Sequence, residues 1–316
     1  MTSKKPVRKA AAKAPSRPVK SRSPPASAHA QGLAYIEGKV VDLGKATVPL
    51  NDRGYLLGDG IFETLRTSNG RVFRLDDHAE RMKRGLRAIN LDASLETEFR
   101  GAVKDLVAAG RKAFGGELYV RVMVTTGPME DVLGTGRGVT VTGLCKKFKP
   151  YPMQYYSNGI QLVVSRQRKD TRSPLSAVKT LSFLPYIAAR RDAHGQTAHD
   201  AILLNEHDRV AEASTSNVFA LRDGVVFAPG EAEGAIPGVT RHAVLELVEE
   251  ADLEVREQLT LADLKKADEV WLTNTTGGIV PVTRFADKPV GSGKKGELTA
   301  QLSHALEAEI RGNHHA

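Results

Sequence analysis

Cysteine is nearly absent: a single residue, Cys145, stands in a chain of 316. No disulfide can close within the chain and no cysteine-based metal cluster can form, so a reducing, cytoplasmic setting is expected. Long apolar runs are missing too. No stretch approaches the roughly 20 residues that cross a bilayer, and no signal-type apolar segment follows the basic start. The nine histidines lack metal-ligand spacing, and His314-His315 is a tail pair, so no metal is expected. Acids are missing from one place only. Residues 1–32 carry Lys4, Lys5, Arg8, Lys9, Lys13, Arg17, Lys20 and Arg22 without one Asp or Glu. With those eight set aside from the 45 basic residues, 37 remain against 37 acidic ones. The body of the chain therefore offers no broad positive face for nucleic acid.

What is present is ordinary globular material, 41% hydrophobic and 26% charged. Segment 1–32, made of Lys, Arg, Ala, Pro and Ser, cannot bury enough surface to offset its ordering entropy and reads as a disordered tail. A nucleic-acid arm and a transit peptide are the other readings of it. From Leu33 onward strands outnumber helices without βαβ alternation, which predicts an α+β fold. The pattern divides into a small α/β domain over 33–150 and a larger β-rich domain over 151–316, joined near Tyr151–Gly159. The first part shows strands around Ala34–Val41, Gly58–Arg66, Arg71–Leu75, Leu118–Thr125 and Gly138–Leu144. Its helices are expected from Asp76 or Asp77 and over Glu96–Ala113. In the second, strands are expected at Ile160–Ser165, Ala201–Asn205, Ser216–Leu221, Val225–Ala228 and Glu269–Thr273. Its helices are expected near 181–193, 241–251 and 297–311.

Four elements carry chemistry. In Val178-Lys179-Thr180-Leu181 a lone lysine sits among apolar neighbours; desolvation would yield the neutral amine that carbonyl chemistry requires, although a snorkelling lysine fits as well. In Val210-Ala211-Glu212-Ala213 an acid precedes small polar residues and a strand, where a solvated turn glutamate is the plainer reading. Ile236-Pro237-Gly238-Val239-Thr240 delivers the start of an amphipathic helix, which is either a phosphate site or a simple Thr240 cap. Thr273-Asn274-Thr275-Thr276-Gly277-Gly278 could add a second phosphate contact or be a turn. Two further motifs fail on spacing. Gly291–Gly296 lacks the P-loop interval, and Gly134-x-Gly136-x-Gly138 lacks the dinucleotide one.

Taken together and in this order, the four elements resemble the fold type IV pyridoxal-phosphate (PLP) enzymes. These are the class IV aminotransferases, namely branched-chain and D-amino-acid aminotransferases, together with 4-amino-4-deoxychorismate lyases. Asp52-Arg53-Gly54-Tyr55, Gly58-Asp59-Gly60-Ile61-Phe62-Glu63 and His78-Ala79-Glu80-Arg81-Met82 extend the likeness over about 34–311. The resemblance implies a small α/β domain beside a β-rich pseudo-barrel, PLP as cofactor, and a homodimer. It makes Lys179 the catalytic, Schiff-base lysine and Glu212 the partner of the pyridine nitrogen. Arg81, Val239, Thr240 and Thr275 would form the phosphate cup.

For the substrate, Tyr119-Val120-Arg121 is similar to the element that places a carboxylate in branched-chain enzymes. Phe62 and Arg66 match pocket-lining positions, and Phe183, which lacks the phenol of the family's tyrosine, is placed in the pocket with them. Against that subfamily, Lys179-Thr180-Leu181-Ser182-Phe183 departs from its Gly-Gly-Asn-Tyr pattern. Gly127-Pro128-Met129-Glu130-Asp131 lacks the Arg-x-His of the D-amino-acid enzymes, with Arg137 as a conceivable substitute. Gly60–Arg66 and Trp271-Leu272-Thr273-Asn274 are lyase-like. The implied activity is a transaminase that passes an amino group between an L-branched-chain or related amino acid and a 2-keto acid. The lyase and then the D-amino-acid transaminase are the alternatives. A catalytically silent body tethered to nucleic acid by its tail is the reading from outside enzymology, and an intact Lys179/Glu212 pair opposes it.

Overall fold

The computed structural model describes residues 32–130, 134 and 138–312. Apart from Gly32, the basic segment 1–32 lies outside the described residues, as do Arg137 and the His314-His315 pair. The first part contains β1 (Leu33–Ile36), β2 (Lys39–Asp42), α1 (Arg53–Leu57), β3 (Gly60–Ser68), β4 (Arg71–Val72), α2 (Leu75–Ala88), α3 (Glu96–Phe114), β5 (Leu118–Thr125) and β6 (Thr140–Lys147). Its strands form one antiparallel sheet in the order β2-β1-β6-β5-β3-β4. Alternation decides its two faces. Leu118, Val120, Val122 and Val124 of β5 are fully buried in a core shared with Phe99, Ala102, Val103 and Leu106 of α3. Those α3 positions recur every three or four residues, as an amphipathic helix requires. Each such aliphatic side chain contributes about 1.5–3 kcal/mol by leaving water. The intervening residues Tyr119 and Arg121 face a cavity on the sheet's other side. In β3 the same rule sends Ile61 and Leu65 into the core and Phe62 and Thr64 to the cavity.

The second part contains α4 (Met153–Ser157), β7 (Ile160–Lys169), α5 (Leu184–Gly195), β8 (Asp200–Asn205), β9 (Val210–Ala213), β10 (Asn217–Arg222), β11 (Val225–Phe227), α6 (Val239–Glu250), β12 (Val255–Arg256), α7 (Leu261–Lys265), β13 (Glu269–Asn274), β14 (Gly278–Phe285), β15 (Lys288–Pro289) and α8 (Glu297–Ile310). These strands build a mixed sheet in the order β12-β11-β10-β13-β14-β7-β8-β9, with β15 on β14. Val218, Ala220, Leu272, Val280 and Val282 lie in one core of the sheet; Phe219, Trp271 and Ile279 pack in another with α6 and α8. The architecture is thus α+β, as expected.

One short segment joins the parts. The Lys179 carbonyl accepts from the Phe62 N–H at 3.1 Å, and the Leu181 N–H donates to the Gly60 carbonyl at 2.8 Å. Close approach requires a glycine here. A Cβ on Gly60 would stand 2.5 Å from the Val124 carbonyl oxygen and 2.8 Å from Leu181 Cδ1. The same bonds hold residues 179–181 extended, so the expected helix near 181 begins only at Leu184. Two other boundaries move for local reasons. The strand expected over Arg71–Leu75 stops at Val72, and α2 starts at Leu75 behind Arg74, whose φ is 48°. Asp76 and Asp77 sit in its first turn, where they favour the helix dipole without capping. β14, which contains Pro281, is not among the expected strands. That residue pairs with Trp271 of β13, while the ladder to β7 starts at Val282, so the missing N–H breaks no bond in that ladder. β9, which carries Glu212, is only four residues long. No helix among the described residues is long and apolar enough to cross a membrane.

Candidate active site

A cavity of about 320 Å³ lies between the two sheets, walled by β3 and β5 on one side and by β9, α6 and the loop after β13 on the other. Phe62, Arg81, Tyr119, Arg121, Lys179 and Phe183 line it. Glu212, Val239, Thr240 and Thr275 do so as well. Ten of the eleven residues singled out from the sequence therefore converge from seven separate stretches. Arg66 does not line the cavity. It shares the Phe62 face of β3 but lies farther along the strand, where it meets Glu307 at 3.2 Å and stacks over Phe148 at 5.4 Å.

Lys179 stands in an aromatic corner. Its Nζ lies 4.5 Å from the Phe62 ring centroid and 5.9 Å from that of Phe183. Burial, and then the neighbouring Arg81 guanidinium, lower its pKa from 10.5 to about 8; Glu63 and Glu212 oppose this from farther away. A solvated, snorkelling ammonium would not be shifted in this way. The amine is thus available as a nucleophile and as a proton carrier near neutral pH.

Glu212 is buried, and its carboxylate is already engaged. Lys169 Nζ and the Tyr186 hydroxyl each donate to Oε1 at 2.9 Å, and the Ile236 N–H donates to Oε2 at 3.2 Å. Neither Lys169 nor Tyr186 stood out in the sequence. A bulge in β7 between Val164 and Arg168 changes which side chains face inward, so strand parity does not foretell Lys169.

Arg81 is held by an equally buried partner. Its Nε and Nη2 donate to Glu63 Oε1 and Oε2 at 2.7 and 2.6 Å, and Nη1 reaches the Pro237 carbonyl at 2.8 Å. Glu63 is also 2.8 Å from His78 Nδ1. Burial favours the neutral acid, but Arg81 and then His78 override it and hold the Glu63 carboxyl at about 2. Burial lowers the His78 pKa, so the ring is neutral and donates to the carboxylate. Glu63 and His78 could have been flagged: β3 alternation places Glu63 on the helix side, and His78 precedes Arg81 by one helical turn.

Below Arg81, α6 starts without a side-chain cap; its N-cap is Gly238, and Thr240 is the second helical residue. That removes the plain capping role considered for Thr240. A Cβ on Gly238 would lie 2.0 Å from Asn217 Oδ1, so only glycine lets Asn217 hold this turn through the Ile236 carbonyl at 2.8 Å. Nearby, Thr273 Oγ1 is buried and has no hydrogen-bond partner among the described residues, yet its residue lines the cavity. An uncapped helix start, a fixed arginine and an orphaned hydroxyl at one end suit a phosphate monoester. With a desolvated lysine and a buried, hydrogen-bonded Glu212 carboxyl group farther along, the residues present fit a phosphorylated pyridine aldehyde.

Comparison with known proteins agrees. The model of the amino-transferase class IV family matches residues 60–285. The D-alanine aminotransferase of Bacillus licheniformis is 31% identical over 275 residues, covering 86% of this chain and 95% of that one. The structure of the Escherichia coli branched-chain amino acid aminotransferase superposes with a TM-score of 0.82 at 25% identity, over 90% of this chain and 96% of that one. A T.th. branched-chain amino acid aminotransferase with pyridoxamine 5′-phosphate superposes at 0.80 and 24%, over 90% and 95%. This chain belongs to the class IV aminotransferases, a family of pyridoxal-phosphate enzymes.

Proposed function

We propose that the chain is a transaminase acting on amino acids with apolar side chains, foremost the L-branched-chain amino acids, with a 2-keto acid as acceptor. The observation that carries this reading is Arg121. Its guanidinium stacks on the Phe62 ring at 3.6 Å, faces the cavity, and has no carboxylate partner among the described residues. Burial lowers its pKa, and Tyr119 partly restores it. A half-buried guanidinium without a carboxylate partner is a ready receptor for a substrate carboxylate. The edge-to-face pair of Phe62 and Phe183, at 5.5 Å, offers an apolar wall to the substrate side chain.

Bound PLP would supply an electron sink for the carbanion formed at the substrate α-carbon. Lys179 Nζ would hold it until the amino substrate arrives, then take the α-proton and return it as general base and acid. Glu212 would face the ring nitrogen. Arg81, the α6 start with Val239 and Thr240, and Thr275 would hold the phosphate. Arg121 and Tyr119 would orient the substrate carboxylate.

A D-amino-acid transaminase is the second reading, favoured by the 31% identity to the Bacillus licheniformis D-alanine enzyme. The test is to load the protein with PLP and record its absorbance on mixing with L-leucine, D-alanine and aminodeoxychorismate in turn. Conversion to the pyridoxamine form by L-leucine is the expected result. A response to D-alanine alone would install the second reading, and pyruvate release from aminodeoxychorismate a lyase.

The assembly we propose is a homodimer. Leu50 and Tyr55 are 76% and 71% exposed, and Leu184 is 69% exposed. They lie on or beside α1 and α5, which meet where Ser182 Oγ donates to the Gly58 carbonyl at 3.4 Å. Such apolar exposure marks a contact surface. Light scattering of the full chain should give twice the 34.1 kDa chain mass; a monomer at micromolar concentration would refute the dimer.

A further inference from the structure

Lys169 is a buried ammonium with every proton committed. It donates to the Ser176 carbonyl at 2.6 Å, to the Tyr186 hydroxyl, and to Glu212 Oε1 at 2.9 Å. An ammonium has three donors, so nothing is left for water or substrate. The Tyr186 hydroxyl accepts from Lys169 and donates to the same Oε1. Burial and Glu212 both raise its pKa, so that phenol remains protonated. The three side chains come from β7, α5 and β9; Tyr186 and Glu212 line the cavity, and Lys169 stands behind them. Stability does not call for such an arrangement, since a buried ion pair is generally no better than apolar packing of the same volume. Its chemical effect is specific. The pair fixes the orientation of Glu212 through its Oε1. Of about four lone-pair sites on a carboxylate, two on Oε1 and one on Oε2 are used, so Oε2 retains acceptor capacity.

We propose that Lys169 is the positioning residue for Glu212: with Tyr186 it occupies Oε1, places a positive charge against the carboxylate, and leaves Oε2 aimed to accept a hydrogen bond from a protonated ring nitrogen. This rests on the reading of Glu212 as the partner of the cofactor's pyridine. Three titratable groups face Glu212: Lys169 from β7, Tyr186 from α5, and Lys179 from the segment docked on β3. Of the three, only Lys169 combines a positive charge with a direct hydrogen bond to it.

The experiment is a double-mutant cycle on the PLP-loaded full chain, using Lys169→Met, Glu212→Gln and the pair. The readouts are the pH at which the bound-cofactor absorbance titrates, and kcat with L-leucine or D-alanine. Loss of the positive charge should raise that titration by about one pH unit or more in Lys169→Met and lower kcat about tenfold or more. Lys169→Arg should restore both. In the Glu212→Gln background Lys169→Met should add nothing further, because its effect passes through Glu212. The double variant buries no lone charge, so it reports even if Lys169→Met alone fails to fold. A wild-type titration and kcat in Lys169→Met, or an undiminished effect of Lys169→Met with Gln at 212, would overturn the proposal while leaving the transaminase intact. A wild-type protein that takes up no PLP would instead overturn the reading of Glu212, and this one with it.

Discussion

Lys179→Ala should abolish the visible cofactor band and lower kcat/KM for transamination at least ~10⁴-fold, because in the proposed mechanism one amine serves as both attachment point and proton carrier. The fold should persist without loss of stability at pH 7, since truncation removes a desolvated ammonium, and no hydrogen bond or ion pair to Lys179 Nζ occurs among the described residues. The wild-type protein supplies a sharper test through pH. With the Lys179 pKa near 8, about one amine in ten is neutral at pH 7. The rate at which cofactor-free protein captures PLP should therefore climb with pH and level off above about 8. The linked stability has the same sign. Between the folded value and the ordinary 10.5, the unfolded chain binds more protons, so the cofactor-free protein gains stability as pH rises through that window. Stopped-flow absorbance between pH 6 and 10 measures the first effect. A capture rate still rising steeply towards pH 10 would mean an ordinary solvated lysine, and desolvation by Phe62, Phe183 and the surrounding walls would lose its role.

The sequence and the structure agree best where periodicity was strong and worst where tertiary contacts override it. β5 and α3 are legible because alternating Val residues and the spacing of Phe99, Ala102, Val103 and Leu106 have no competing reading. The site followed from order rather than from any one element: Lys179, Glu212 and the α6 start are each unremarkable, and only their succession is informative. Arg66 illustrates the limit of parity. It shares a face with Phe62 and Thr64, yet the strand carries it past the cavity to Glu307. Lys169 and Tyr186 escaped notice, and Glu63 and His78 were seen only as members of family-like runs without their roles, for a common reason. Each acts on another side chain from a distant stretch of chain, and sequence separation hides such pairs. Glu63 and Arg81 are 18 positions apart and Lys169 and Glu212 are 43 apart. Residues that touch a ligand tend to fall in recognisable runs, whereas the residues that hold them in place do not.

Arg81→Ala has the second large expected effect, and its origin is Glu63. In the wild type the carboxylate is fully buried and two guanidinium N–H groups bind it side by side. Truncation leaves that charge facing a neutral His78, and a buried charge deprived of its partner costs about 3–5 kcal/mol. Urea unfolding at pH 7 should show this loss. Cofactor binding should change in a particular way: the preference for PLP over unphosphorylated pyridoxal should collapse, since in the proposed placement only the phosphate meets Arg81. The pH dependence separates this account from general damage. With a folded pKa of about 2 against 4.5, Glu63 in the wild type adds stability that is fully present above pH 4.5 and is lost as pH falls towards 2. Without Arg81, burial is left to dominate and raises the Glu63 pKa above 4.5, so the folded variant takes up a proton that the unfolded chain does not yet hold. Its deficit relative to wild type should therefore shrink as pH is lowered from 7 to 4. Glu63→Gln in the Arg81→Ala background should recover much of the lost stability without recovering the preference for the phosphorylated cofactor. A deficit that stayed constant with pH, or a double variant no more stable than Arg81→Ala, would mean that Arg81 supports the fold by packing alone and that Glu63 is not its electrostatic partner.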